Sequence, residues 1–319
     1  MQHFFKFEPR LKRVLWGGTK ILGLKGIECP FSDVGESWEI SGLKNTESVI
    51  ANGGLAGKNI NELVEILGDK IVGKHNIQAH GSQFPLLIKL IDASKQLSIQ
   101  VHPDDVQAMM RHGESGKDEM WYIIDSEPQA TIISGLSRAT SKEEFEKLMA
   151  TDRLTSILAE HKSHTGDVFF LPARRIHSIG AGNLVLEVQQ PCDITYRVYD
   201  FNRTDANGNK RPLQTQLAAE TINFSDVVNG CDKMVTDGDA LLVESPKFSV
   251  ERIEVKGERF IAMPQDSFLA LTCINGSVEL SADDGKEAIT LRQGESALVA
   301  ACTGKISAAG NCVLITAYT

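Results

Sequence analysis

Through much of the chain, apolar and polar residues alternate with the period of two that an extended strand imposes on its side chains. In LSIQVHPDD, residues 97 to 105, Gln100 and His102 share one face while Ile99 and Val101 take the other. Pro103 has no backbone donor for a ladder and is expected to end that strand. Another apolar run, EMWYII, opens at Glu119 and places a carboxylate on a neighbouring strand. ESWEIS sets Trp38 and Ile40 against Ser37 and Glu39, LVLEVQQ sets Glu187 and Gln189 against Leu186 and Val188, and ITYRVYD puts Thr195, Arg197 and Tyr199 together. Lys89 interrupts the apolar run LLIKLI; it must reach water at an edge or face a polar cavity, because an unpaired buried ammonium is costly.

The period shifts toward 3.6 in two places. Ile60, Leu63, Val64, Ile66 and Leu67 predict a short surface helix capped by Asn59 or Asn61, and SRATSKEEFEKLMATDRLTSILAEH predicts another, with Ser141 and Glu144 at capping-box spacing. DDVQAMMRHGESGKD reads as a helical turn and a glycine-bearing loop. His75, His80, His112, His161 and His164 all lie in polar stretches and are expected in solvent. Residues 201–222 are polar and turn-rich, as at the exit from a domain. From about 240 onward, short strands are separated by turns at ING, DDGKE, RQGES and CTGK, with no histidine among them. The expected fold is mainly β. It comprises a larger domain over 1–225 with small helical insertions near 59–75 and 140–160, then a smaller β-domain over 235–319 in which the absence of histidine gives no metal site.

Composition narrows the partners. A chain of 319 residues, 42% hydrophobic and 24% charged, can bury a substantial core, and its net charge of -9 disfavours nucleic acid and anionic membrane surfaces. MQHFFKFEPRLKRVLWGG is too broken by charges for a signal peptide or membrane anchor, which implies a cytoplasmic protein. Six cysteines without a C-x-x-C pair fit reduced thiols and argue against thiolate-bound zinc.

The candidate chemistry lies at the strand ends. A distant histidine with its own preceding strand, His177 in GDVFFLPARRIHSIGAG, joins Gln100, His102 and Glu119 as a possible ligand set. Imidazole, carboxylate and amide oxygen suit zinc, which acts as a Lewis acid on a carbonyl and its neighbouring hydroxyl; iron or manganese would fit similar ligands and open oxygen chemistry.

KLIDASKQLSIQVHPDD, GKDEMWY, LPARRIHSIGAGNLVLEVQQ and TYRVYDFNR closely resemble the type I mannose-6-phosphate isomerases of the cupin superfamily, in their short bacterial form, from VLWGG to about residue 222. The C-terminal unit looks like that family's second, metal-free barrel. The resemblance implies two cupin-type β-barrel (jelly-roll) domains and one zinc ion per chain. It also implies interconversion of mannose 6-phosphate and fructose 6-phosphate through a cis-enediol. A monomer or weak homo-oligomer is expected, apart from the resemblance. Carried over by position, His102, Glu119, His177 and Gln100 match the zinc ligands, and Arg197 matches the catalytic arginine. Lys117 and Glu187 match pocket positions suited to proton transfer, Ser98 and Lys89 positions that hold the phosphate, and Trp16 and Glu36 the pocket wall. One motif departs from the family pattern: the glycine expected two residues after Pro172 is Arg174. The competing readings are a non-catalytic sugar-phosphate-binding cupin and an iron cupin oxygenase.

Overall fold

The computed structural model describes every residue except 152, 206, 283, 284 and 286, so the turn expected at DDGKE lies partly outside the described residues. Three sheets organise the chain, and every ladder between named strands is antiparallel. The first has seven strands, in the order Lys233–Met234, Asp167–Leu171, Glu119–Ser126, Asn183–Gln189, Leu87–Ala93, Val34–Ser41, Arg10–Gly18. The second has five: Tyr196–Tyr199, Ile99–Val101, His177–Ile179, Thr131–Leu136, Leu158–Lys162.

Alternation decides what each face of these sheets meets. Met120, Tyr122, Leu186, Val188, Ile88 and Leu90 turn to one side of the seven-stranded sheet, in an apolar cluster shared with Ile60, Leu63, Val64 and residues of the C-terminal sheet. On the opposite side of the same strands, Trp121, Ile123, Val185 and Ile91 pack with Ile132 and Ile179 of the five-stranded sheet. Ile99 and Val101 face outward from the five-stranded sheet and are covered by helices Lys142–Ala150 and Thr215–Thr221. That leaves Gln100 and His102 looking into the space between the two sheets.

The third sheet runs Phe4–Lys6, Ser296–Val299, Leu269–Ala282, Lys305–Tyr318, Ser249–Ala262, Ala240–Glu244, with Ala288–Arg292 also paired to Leu269–Ala282. Its first strand comes from the opposite end of the chain, through Phe4↔Val299 and Lys6↔Ala297.

Asn59 accepts from the Glu62 amide at 2.9 Å, and the Glu62 carboxylate accepts from the Asn59 amide at 2.8 Å, a complete capping box for helix Ile60–Leu67. The helix ends at Gly68, whose φ of 58° breaks the expected segment and starts a separate turn, Asp69–Val72; Ile66 is exposed. Ser141 caps the other predicted helix by accepting from the Glu144 amide at 3.2 Å. Glu144 itself turns away to Arg138 and Thr140, and the chain is already a strand again by Leu158. Among the described residues no helix is long and apolar enough to cross a membrane.

Candidate metal centre and active-site cleft

Two aligned rows of side chains build the site. Across the five-stranded sheet, Arg197, Gln100 and His177 stand opposite one another on three successive strands, and His102 follows Gln100 on the same face. Across the seven-stranded sheet the row is Trp121, Glu187, Lys89 and Trp38, with Glu119 beside Gln189 one step away. Glu119 therefore reaches the histidines from the facing sheet, not from a neighbouring strand of theirs. The chain between Pro103 and Glu119 crosses from one sheet to the other, and alternation within a strand carries no information about which sheet its neighbour joins.

His102, Glu119 and His177 are fully buried, and their candidate ligand atoms lie within 4.8 Å of one another. The Nδ1 of His102 donates to the Ile194 carbonyl at 2.7 Å and that of His177 to the Arg175 carbonyl at 2.8 Å. A carbonyl only accepts, so each ring keeps its proton on Nδ1 and turns a lone pair on Nε2 inward. Those two Nε2 atoms face each other at 3.1 Å. Burial, with help from the Lys117 charge, pushes His177 down to about 3, so its ring stays neutral. Burial drives Glu119 upward against the opposing pull of Lys117.

Neither oxygen of Glu119 has a hydrogen bond of good geometry: Lys117 Nζ stands 2.8 Å from Oε2 as an ion pair and also donates to His102 Nε2 at 3.0 Å, while His177 Nε2 turns its lone pair toward Oε1 at 3.1 Å, an approach of two acceptors. Two inward lone pairs and an unsatisfied buried carboxylate form an arrangement that a divalent cation satisfies. Nitrogen and oxygen donors of this kind fit zinc. Gln100 sits at the edge of the cluster, with its Nε2 3.4 Å from His177 Nε2 and its Oε1 accepting from Ser98 Oγ at 3.4 Å.

Beside the cluster, and joined to it through Gln100 and Lys117, opens a cleft of about 300 Å³. Trp16, Glu36, Lys89 and Ser98 line it, as do Gln100, Lys117, Glu187 and Arg197, so every candidate outside the buried triad meets there. Lys89 resolves its place in an apolar strand by lying 3.0 Å from Glu187 and donating to Gln189 Oε1 at 2.8 Å. Glu187 also accepts from Trp121 Nε1 at 2.8 Å; Lys89, Lys117 and these bonds outweigh burial and hold its carboxyl down at about 2. Glu36 accepts from Trp38 Nε1 at 2.7 Å. Arg197 donates from Nε to Ser98 Oγ at 3.3 Å and from Nη1 to the Pro212 carbonyl at 3.1 Å.

The expected glycine has an equivalent in conformation. Arg174 holds φ at 74°, the left-handed region that favours glycine, so the same turn is made by a residue that pays a steric cost for it. Its amide donates to the His102 carbonyl at 2.8 Å and its Nε to the Thr221 carbonyl at 3.0 Å. His75, His80, His112 and His164 are exposed, whereas His161 is half-buried beside Phe169.

Residues 4–133 match the family described as phosphomannose isomerase type I, catalytic domain, and residues 239–319 match the mannose-6-phosphate isomerase cupin domain. The probable mannose-6-phosphate isomerase GmuF of Bacillus subtilis is 37% identical over 290 residues, 87% of each chain. This chain belongs to the type I mannose-6-phosphate isomerase family. The crystal structure of the mannose 6-phosphate isomerase from Bacillus subtilis covers all of both chains at 33% identity, with a TM-score of 0.90, and the family's mainly β cupin fold is the one seen here. A zinc-bound mannose 6-phosphate isomerase matches at a TM-score of 0.80 and 17% identity, a likeness of fold alone.

Family resemblance and strand alternation had together named the triad and eight cleft residues, but not Arg211 or Asp193, which also line the cleft. Arg211 sits in the polar stretch read as an exit from the domain. A basic residue ten or so positions after a strand that already carries a cleft arginine was the available signal.

Proposed function

We propose that this chain interconverts mannose 6-phosphate and fructose 6-phosphate in the 300 Å³ cleft, with one zinc held by His102, Glu119 and His177 and the Gln100 amide completing the set. The observation that carries the reading is the buried triad with its inward lone pairs, in contact with Gln100 and Lys117, which line a polar cleft together with Arg197. When bound, zinc supplies Lewis acidity toward the oxygens on the first two carbons of the open-chain sugar.

The chain's own residues then have separable tasks. Arg197, fixed by Ser98 and the Pro212 carbonyl, offers a permanent cation to the negative charge that develops as a proton leaves carbon, on the way to a cis-enediol. Lys117 remains charged although buried, because Glu119 and Glu187 offset its desolvation; it holds a proton next to the reacting carbons. Glu187, kept anionic by Lys89 and Lys117, is the group free to accept the proton that leaves one carbon and to return it to the adjacent carbon. Ser98 donates to the phosphate, and Trp16 and Glu36 form the sugar-facing wall.

The same reading divides the chain into a catalytic unit over 1–225 and a C-terminal unit over 235–319, with strand Phe4–Lys6 lent to the second. It places the enzyme in the cytoplasm as a monomer or weak homo-oligomer. A coupled assay for fructose 6-phosphate formed from mannose 6-phosphate tests it: turnover should vanish with a chelator and return with zinc. Bound zinc and an intact fold without turnover would instead identify a sugar-phosphate-binding cupin.

A further inference from the structure

Lys117 reaches the site from a segment with no regular structure of its own. Residues 113–118 join helix Asp105–His112 to strand Glu119–Ser126, and the chain passes from exposed Glu114 to buried Lys117 within three residues. The Lys117 ammonium nevertheless stands 2.8 Å from Glu119 and 3.0 Å from His102 Nε2. Neither a ladder nor a helical turn fixes the backbone here, so its buried amides must find their acceptors elsewhere.

Three consecutive amides are held by three different acceptors. Gly116 donates to Asp105 Oδ1 at 2.8 Å, Lys117 to the Pro103 carbonyl at 3.1 Å, and Asp118 to Gln190 Oε1 at 2.9 Å. Gln190 closes the set, because its Nε2 donates to the same Asp105 Oδ1 at 3.1 Å and its amide to the Asp118 carbonyl at 3.2 Å. The two aspartates after Pro103 divide their tasks. Asp104 caps the helix by accepting from the Gln107 amide at 2.9 Å, which leaves the Asp105 carboxylate free to turn toward the loop. A Cβ at position 116 would stand 2.5 Å from the Asp105 amide nitrogen, so glycine is what lets the segment come this close. The second oxygen of Asp105 accepts from Lys247, in the Ser245–Phe248 turn of the C-terminal unit. Burial raises the Asp105 carboxyl, but Lys247, the Gly116 amide and Gln190 outweigh burial and hold it below 3.8, so both oxygens are acceptors at neutral pH.

One oxygen of this carboxylate thus binds the backbone beside Lys117, and the other binds the C-terminal unit. We propose that Asp105 is a positioning residue for Lys117, holding the Gly116–Asp118 segment through Oδ1, and that Lys247 of the C-terminal unit holds Asp105 in turn. Asp105 does not line the cleft and acts only through Lys117. The C-terminal unit thereby contributes to the order of a cleft that it does not line. The pair with Lys247 is partly exposed and adds little to stability, so its effect is on placement. This inference rests on the reading of Lys117 as the group that holds a proton beside the reacting carbons.

Amide hydrogen exchange on the zinc-loaded full chain tests the anchor apart from turnover. Exchange at residues 116–118 should quicken about tenfold or more in Asp105→Ala and stay close to wild type in Asp105→Asn, whose side-chain oxygen still accepts from Gly116 and Gln190. In the isomerase assay Asp105→Ala should lower kcat about tenfold to a hundredfold and leave KM within about twofold. Asp105→Asn and Lys247→Met, which each remove only the contact with the C-terminal unit, should lower kcat about twofold. Added to Lys117→Met, Asp105→Ala should bring no further loss of kcat, because the group it positions is already gone. Unchanged exchange in Asp105→Ala would overturn the assignment, as would zinc lost from that variant or a full further fall in kcat on the Lys117→Met background. Lys247→Met identical to wild type in kcat would remove the C-terminal unit from it. Quickened exchange in Asp105→Ala of a protein that does not turn over mannose 6-phosphate would leave the anchor standing and remove the proposed reaction.

Discussion

The two-sheet N-terminal region and the C-terminal sheet follow the same construction rule and bury opposite things. Strand Leu269–Ala282 turns Leu269, Leu271, Cys273, Val278 and Leu280 into an apolar cluster. Strand Glu119–Ser126 turns Trp121 and Ile123 inward in the same way but begins with Glu119. Among the described residues from 240 onward, Arg252 is the one buried charged side chain, while the space between the first two sheets holds Lys89, Lys117, Glu119 and Glu187 with two histidines. A site does not need a different fold. It needs inward positions at strand ends where apolar residues have been given up and the charges that replace them answer one another.

Breaking the two regions separately should give different signatures. The largest effect is expected at the triad: His177→Ala should lower turnover by about a thousandfold or more and lose zinc by metal analysis, whereas Arg197→Ala should lower turnover about 10²–10³-fold with zinc content unchanged. Zinc lost from Arg197→Ala would make that arginine structural. Leu271→Ala, in the apolar C-terminal cluster, should cost about 3 kcal/mol by denaturant unfolding while leaving zinc content and kcat close to wild type; a matching loss of zinc would show that the two regions unfold as one.

Asp200 sharpens the comparison through pH. Burial raises its pKa, but the hydrogen bonds from Arg211 and Arg203 outweigh burial and hold the carboxyl below its ordinary value of 3.8. The folded chain therefore binds this proton less readily than the unfolded chain. The stabilisation is fully present above pH 3.8 and is lost as pH falls through the folded value. Asp200→Asn should accordingly be less stable than wild type by about 2 kcal/mol at neutral pH, and the gap should narrow in acid; a constant gap would exclude the carboxylate charge as its source. The smallest effect concerns the turn at φ 74°: Arg174→Gly should be more stable than Arg174→Ala by about 1 kcal/mol, since both lose the side chain and only one sheds the left-handed cost.

What could be read from the chain follows the range of each signal. Gln100 with His102, and Glu187 with Gln189, were legible because alternation is local, and a cap at Asn59 or Asn61 was legible because capping reaches only about three residues along the chain, although the sequence did not choose between the two. Glu119's sheet was not legible, because nothing in EMWYII distinguishes one apolar partner from another. Arg211 was missed because polarity marks a loop without saying where the loop folds back, and that return depends on Asp200, Phe201 and Asn202 together. His161 lies in a polar sequence but is half-buried because strand Leu158–Lys162 was hidden behind a helical pattern.

The strand Phe4–Lys6 imposes an order on biosynthesis. Its partner Ala297–Val299 emerges roughly 290 residues later, which at about 5–20 residues per second is a delay of about 15–60 s. Through that interval Phe4 and Phe5, both fully buried in the finished molecule, have no sheet to join. The two-sheet region can assemble its strands while translation continues. The C-terminal sheet can gain its edge strand only after nearly the whole polypeptide has been made, so a ribosome stalled before residue 297 would carry an aromatic pair in search of any exposed strand.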